Sequence, residues 1–252
     1  MKIFDRLFMI GTMSLGDAFA LNGLVHYYGD MTDELHISMP PEFIETIKTL
    51  YQDHPHIKVA TIDFSESEED YIRANNLSRV KKPIVNHYLV DGIYIPVWWD
   101  VQNYDFYNVP YSVRYSHFRL PNYIQGSEDL YEKLVEDGEP YVLVHRYSYR
   151  YPNGFNINIP HFRQSIGLPD RKIIEIQEGL TNNMMHYIKL IQNAEEIHCV
   201  ASAVFNLVDN MHTKLNSRLF FHDVRKNSMM RVNSSWNNYR WQWVNYPKEV
   251  RT

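Results

Sequence analysis

Short apolar runs alternate along the chain with stretches whose apolar positions recur every third or fourth residue, the rhythm of strands feeding helices. Residues 6–10 (RLFMI), 35–38 (LHIS) and 57–62 (IKVATI) read as strands. Between them Ala18, Leu21, Leu24 and Val25 give an apolar helix face ending at Gly29. Phe43, Ile44, Ile47 and Leu50 give a second, opened by Pro40 and Pro41. Ser65 opens an acidic helix over 66–75. The first 75 residues thus predict βαβαβα, a parallel sheet with helices on its faces.

The pattern then changes. Residues 84–90 and 93–98 flank Asp91-Gly92, a two-residue hairpin signal. From 98 to 123 the chain is crowded with aromatics, and Arg114, His117 and Arg119 are interleaved among them. Ser127 predicts the cap of a helix that Asp137-Gly138 ends. A second α/β series follows, with strands at 141–147 (YVLVHRY) and 172–177 (KIIEIQ), and an alternating strand or edge segment at 155–159 (FNINI). A helix is expected over 182–192, then a strand at 197–200 and a last strand at 218–222 (RLFFH). The Trp-rich tail, 236–246, predicts a final amphipathic helix able to pack back on the first domain. No fixed repeat or low-complexity linker interrupts the chain. Two domains are expected, 1–125 and 126–252.

The second series is organised around residues 195–211. A buried strand runs into Ala201, Ser202 and Ala203, and Val204, Leu207, Val208 and Met211 then recur at helical spacing, with Asn206, Asp209 and Asn210 on the opposite, polar face. Ser202 is the natural N-cap, so free N–H groups and the positive end of a helix dipole point out of the turn, an arrangement that suits a phosphate. An ordinary strand–helix corner has the same pattern. A turn of similar character, GTMSLGDAF, follows the first strand, where Gly11 and Gly16 permit a tight turn and Asp17 stands at the helix start.

Composition narrows the field. A net charge of −5 argues against general nucleic-acid binding. The single cysteine, Cys199, offers no disulfide framework and points to a reducing, cytoplasmic setting. No apolar run approaches the roughly 20 residues that span a bilayer, so stable membrane insertion is not expected. Nineteen Tyr, 12 Phe and 5 Trp are good core material and equally good surfaces for stacking on sugar rings.

Two α/β domains in tandem, each with a small-residue turn aimed at a shared cleft, make a layout that resembles the GT-B glycosyltransferases, in particular the heptosyltransferase-like enzymes. The likeness rests on Gly16-Asp17, matching the Gly-Asp that opens their first helix, and on Asn193-Ala194-Glu195-Glu196-Ile197-His198-Cys199-Val200-Ala201-Ser202, matching their A-E-x-x-h-x-x-D-S strand and turn. It covers about the first 30 residues and 172–223. The chain departs from the pattern at Ala201, where the family carries an acidic residue that helps hold the donor sugar. A different sugar, a substitute contact or a turn that keeps only its phosphate role would each account for it.

The resemblance implies an α/β fold of two Rossmann-like domains facing a cleft, the first binding the acceptor and the second the nucleotide sugar. It implies a hexosyl- or pentosyltransferase that inverts configuration, takes a nucleoside-diphosphate sugar as co-substrate and uses no other cofactor. Such chemistry needs a base for the acceptor hydroxyl and positive charge for the departing diphosphate. Asp17 is the candidate base, although Asp also suits a helix cap. Arg146, at the end of the 141–147 strand, and Arg150, in the loop beyond, are the cationic candidates, joined by the Ser202 and Ala203 N–H groups. Asn206 and His222 are the candidate nucleotide contacts. Trp98, Trp99, Asp100, Arg114 and His117, with Arg119 beside them, would line the site of an oligosaccharide or glycan acceptor; an aromatic interdomain core is the competing reading. His198, inside a strand, reads as a core histidine, and no metal is assigned because no ligand spacing and no D-x-D triplet occur.

A non-catalytic α/β module that binds a nucleotide or glycan is the main rival, and Ala201 favours it. The lack of G-x-G-x-x-G after the first strand argues against a dinucleotide oxidoreductase, and the lack of G-x-S-x-G against a serine hydrolase.

Overall fold

The computed structural model describes residues 4–10, 14–63, 68–79, 88–90, 93–95, 99–136, 138–148, 153–177, 179–224 and 240–246. The chain divides into two compact units, Met1–Tyr123 and Ile124–Thr252.

Unit 1 begins with β1 (Phe4–Ile10), α1 (Leu15–Gly29), β2 (Thr32–Met39), a 3-10 turn at Pro41–Phe43, α2 (Ile44–Leu50), β3 (Ile57–Thr61), α3 (Glu68–Ala74) and β4 (Ser78–Arg79). All four strands are parallel, in the order β3-β2-β1-β4. Leu7, Phe8 and Met9 of β1 are all buried, as befits a central strand covered on both faces. β5 (Tyr88–Val90) and β6 (Ile93–Ile95) pair antiparallel as the Asp91-Gly92 signal predicts, the two turn residues themselves lying outside the described ones.

The aromatic stretch carries two helices absent from the sequence expectation, α4 (Trp99–Phe106) and α5 (Val113–Ser116). They pack on α1, which is why α1 is buried almost all round rather than along one stripe. Tyr104 Oη donates to the Ala20 carbonyl at 3.2 Å and Tyr107 Oη to that of Met9 at 2.7 Å. Contact between α1 and α5 is close enough that a Cβ at Gly23 would lie 2.4 Å from the Val113 oxygen. This part of the aromatic stretch is core.

Unit 2 runs α6 (Gln125–Leu134), β7 (Tyr141–His145), α7 (Ile159–Ser165), β8 (Lys172–Glu175), a 3-10 turn at Met184–Tyr187, α8 (Ile188–Asn193), β9 (Glu196–Cys199), α9 (Ala203–Met211), β10 (Arg218–Asp223) and β11 (Trp241–Asn245). Its five strands are parallel, in the order β11-β10-β9-β7-β8. Cys199 is fully buried in β9, and burial pushes its thiol pKa far up.

Four expectations are corrected here. The tail is a strand and not a helix: residues 241–245 extend the sheet beside β10, with Leu219 opposite Trp241 and His222 opposite Val244. Trp241 is buried there, its Nε1 donating to Asp209 Oδ1 at 3.0 Å. Consequently Asp209 and Asn210 are buried rather than solvated. Residues 155–158 pair in no sheet, and α7 follows, with the Asn158 side chain accepting from His161 N at 3.1 Å. The alternation in FNINI instead seats Ile157 and Ile159 in a cluster with Val142, Val144, Val200 and Val224. Finally, Ser127 is the third residue of α6, and its hydroxyl accepts from Lys189 N at 2.7 Å instead of capping the helix.

Candidate functional site

In an open parallel sheet the ligand crevice forms at the strands' carboxyl ends, where the chain turns from building one side of the sheet to building the other. In unit 2 that point lies between β7 and β9: from β7 the chain goes outward to β8, then returns to β7's other side and continues through β9, β10 and β11. The residues emerging there are His145 and Arg146 from β7, and Val200 to Ser202 from β9. In unit 1 the same point lies between β1 and β4, and the residues beyond β1 lead into α1.

At the unit 2 switch Ser202 is extended (φ −160°, ψ 178°) and caps α9, its Oγ accepting from Phe205 N at 3.3 Å. The same hydroxyl lies 3.0 Å from His145 Nδ1. Burial pushes the His145 pKa down to about 4, so the ring is neutral at pH 7. Ala203 is the first residue of α9, and both it and Asn206 are half-buried. Arg146 sits beside this corner but is engaged: its Nε lies 3.2 Å from Glu175 Oε1 and its Nη1 donates to the Ile157 carbonyl. Arg150 lies outside the described residues. The His145–Ser202 bond escaped the sequence reading because nothing in the spacing of 145 and 202 announces that β7 and β9 are neighbours.

At the unit 1 switch Ser14, not Asp17, is the N-cap. Asp17 closes a reciprocal box, Oδ2 accepting from Ser14 N at 3.0 Å and from Ser14 Oγ at 2.8 Å, while its own N–H donates to Ser14 Oγ at 3.4 Å. The S-x-x-D spacing at 14–17 was the available signal. Gly11 lies outside the described residues.

Among the acceptor candidates, Trp98 lies outside the described residues, and Trp99 and Asp100 form the start of α4. Arg114 does not face solvent. It is completely buried, its Nη1 donating to Tyr111 Oη at 2.9 Å and its guanidinium 5.5 Å from the Tyr115 ring centre. The half-buried His117 ring meets Tyr27 edge-on at 5.4 Å. Arg119 is held by Asp30 through two bonds of 2.9 and 2.5 Å.

His222 is corrected as well. It lies within β10, completely buried, with Nε2 2.8 Å from His198 Nδ1 and Nδ1 2.7 Å from Tyr246 Oη. A ring with both nitrogens occupied inside the sheet is not available to a nucleotide. His198 is the core histidine its strand position suggests, stacked on Phe220 at 4.5 Å. Among the described residues no three His, Cys, Asp or Glu side chains are placed to hold a metal ion, and no helix is long and apolar enough to cross a membrane.

No protein-family model and no curated protein matches the chain. Solved structures do. A glycosyl transferase family 9 protein from Veillonella parvula superposes with a TM-score of 0.56 at 8% identity, over 98% of this chain and 87% of its own. The Escherichia coli ADP-heptose LPS heptosyltransferase II gives a TM-score of 0.56 at 8% identity, over 95% and 90%. The iron-containing dodecameric glycosyltransferase TibC from enterotoxigenic E. coli gives 0.52 at 15% identity, over 89% of this chain and 60% of that one. At such identities the likeness speaks for fold, and the fold is the α/β, two-unit Rossmann-like fold of GT-B glycosyltransferases.

Proposed function

We propose that the protein is an inverting, metal-independent glycosyltransferase that moves a sugar from a nucleoside-diphosphate sugar to a glycan acceptor. The observation that carries this reading is topological. Among the described residues, the Ser14–Asp17 corner and the Ser202 corner both lie at the sheets' switch points, and they are the two that the sequence pattern distinguishes. In this reading Asp17 accepts the proton of the acceptor hydroxyl as its oxygen attacks the anomeric carbon. The bond from that carbon to the diphosphate breaks, and the departing charge is met by the Ser202 and Ala203 N–H groups at the start of α9. Arg146, on leaving Glu175, and Arg150 add cationic contacts, Asn206 contacts the nucleoside, and Trp98, Trp99, Asp100 and His117 serve the acceptor. Metal independence rests on the lack of a D-x-D triplet and on this cationic set.

The pairing of Arg146 with Glu175 and the alanine at position 201 favour a second reading, a module that binds a nucleotide without turnover. Calorimetric titration with ADP, UDP and GDP, followed by transfer and hydrolysis assays with the corresponding sugars, separates the two. Binding with turnover supports the transferase, binding without turnover the module, and no binding of any nucleoside diphosphate removes both. Ala203→Glu is the informative variant, because a carboxylate in the first turn suits the helix dipole yet repels a diphosphate. Affinity is expected to fall at least tenfold with the fold intact.

A further inference from the structure

A single file of hydrogen bonds crosses the buried face of the unit 2 sheet. It starts at Glu196, whose carboxylate meets Arg163 Nη1 at 2.5 Å and Arg218 Nη2 at 2.5 Å. His198 Nε2 lies 3.3 Å from Glu196 Oε2, His198 Nδ1 lies 2.8 Å from His222 Nε2, and His222 Nδ1 lies 2.7 Å from Tyr246 Oη. Glu196, His198 and His222 are wholly buried, whereas Tyr246, just beyond β11, is half-buried. Phe162 meets both imidazoles edge-on at 5.4 and 6.1 Å, and Phe155 meets the Tyr246 ring at 5.0 Å.

The proton positions follow from the fixed end. Burial alone would raise the Glu196 pKa, but the His198 and Arg163 hydrogen bonds and the charges of Arg163 and Arg218 outweigh it, so the group is a carboxylate that only accepts. His198 therefore donates from Nε2 and accepts at Nδ1, His222 donates from Nε2 and accepts at Nδ1, and Tyr246 donates its hydroxyl. Each ring carries one proton. A second on His222 would be a buried charge that His198 and Arg146 both oppose. Glu196 is already shared by two guanidinium groups, Glu195 is engaged by Arg171, Arg218 and Arg163, and Arg146, paired to Glu175, adds further positive potential at His222.

We propose that this file is an acid-sensitive latch on the C-terminal strand. At neutral pH Tyr246 is seated on His222 Nδ1 and holds the end of β11 against β10; at acid pH a proton reaches that nitrogen, Tyr246 lifts, and the end of the strand leaves the sheet. Tyr246 is the half-buried outer end of the file, so lifting it lets water solvate the charged ring without opening the sheet's centre. His222 titrates at an ordinary value only in the lifted state, because burial, His198 and Arg146 all oppose charge in the seated one.

Native-state hydrogen exchange on the full chain, corrected for intrinsic rates, tests the latch between pH 7.5 and 5. The opening constant of the 241–245 amides is expected to rise about tenfold per pH unit below about 6, while β7 and β9 amides keep their much smaller opening constants. His222→Asn, which can accept from Tyr246 but does not titrate, is expected to flatten that rise. An unchanged rise in H222N, or 241–245 amides that open only together with β7 and β9, overturns the proposal. If H222N does not fold, NMR of the unmodified protein decides. One shared midpoint for His222 titration and loss of Tyr246–His222 contact supports the latch, and titration with the contact kept refutes it.

Discussion

Ser202 holds two bonds with one oxygen, accepting from Phe205 N and joining His145. Ser202→Ala is expected to cost about 1 kcal/mol of stability, the usual worth of an N-cap, in urea unfolding. Asp17 tests the chemistry more cleanly. Asp17→Asn retains an oxygen for the box with Ser14 but not a basic carboxylate, so a base role predicts a loss of turnover of about 100-fold or more with little change in melting temperature. A merely structural role predicts neither. The S-x-x-D spacing at 14–17 is present in the sequence, but Gly16 beside Asp17 places the expected helix start two residues after Leu15, where α1 begins. Protonation is the other residue-scale lever. Burial pushes His26 and His145 down to about 3 and 4. The folded rings stay neutral at pH 5, whereas the unfolded chain, titrating near its ordinary value of about 6.5, binds protons there. Stability is therefore complete above about pH 6.5 and falls on acidification, by about 2 kcal/mol per ring at pH 5, as denaturation midpoints across that range should report.

Among the elements, strands carried by short, mostly apolar runs were legible. β7 and β9 are buried on both faces, and Ser202 caps α9 where its position before the helical rhythm indicates. Elements defined by what they lie against were not. Residues 241–245 carry a period of two, Trp241 and Trp243 on one side, but a Trp-rich tail reads equally as a helix face until β10 supplies the pairing edge. β4 is two residues long and exists by pairing with β1. FNINI alternates without joining a sheet because its isoleucines fill a cluster and Asn158 starts a helix. The reassigned strand makes its own prediction: Trp241→Phe keeps most of the apolar contact but removes a hydrogen bond from the buried Asp209, costing about 1–3 kcal/mol in urea unfolding. Gly23→Ala, at a site that tolerates no Cβ without moving Val113, should destabilise unit 1 by about 1–3 kcal/mol.

Two compact units with separate parallel sheets give one chain two cores. The alternation of apolar runs and helical faces was enough to read both sheets as parallel, because short strands separated by helices leave few other topologies. Which strands stand side by side was not readable, and the switch points, on which the functional reading depends, follow from strand order alone. If the diphosphate binds at the unit 2 switch, a nucleoside diphosphate at about 100 times its Kd should stabilise that unit by about 2.7 kcal/mol. Calorimetry should show an upward shift of the transition carrying unit 2, with the other, where resolved, unmoved.

The buried thiol in β9 turns the chain into its own folding gauge. Cys199 is the sole sulfhydryl, sealed in the centre of a sheet and reluctant to ionise, so an alkylating reagent modifies it only in molecules that have come apart. The speed of that modification therefore clocks disruption of the second core, and a fluorophore can be attached at an engineered surface cysteine without first removing the native one.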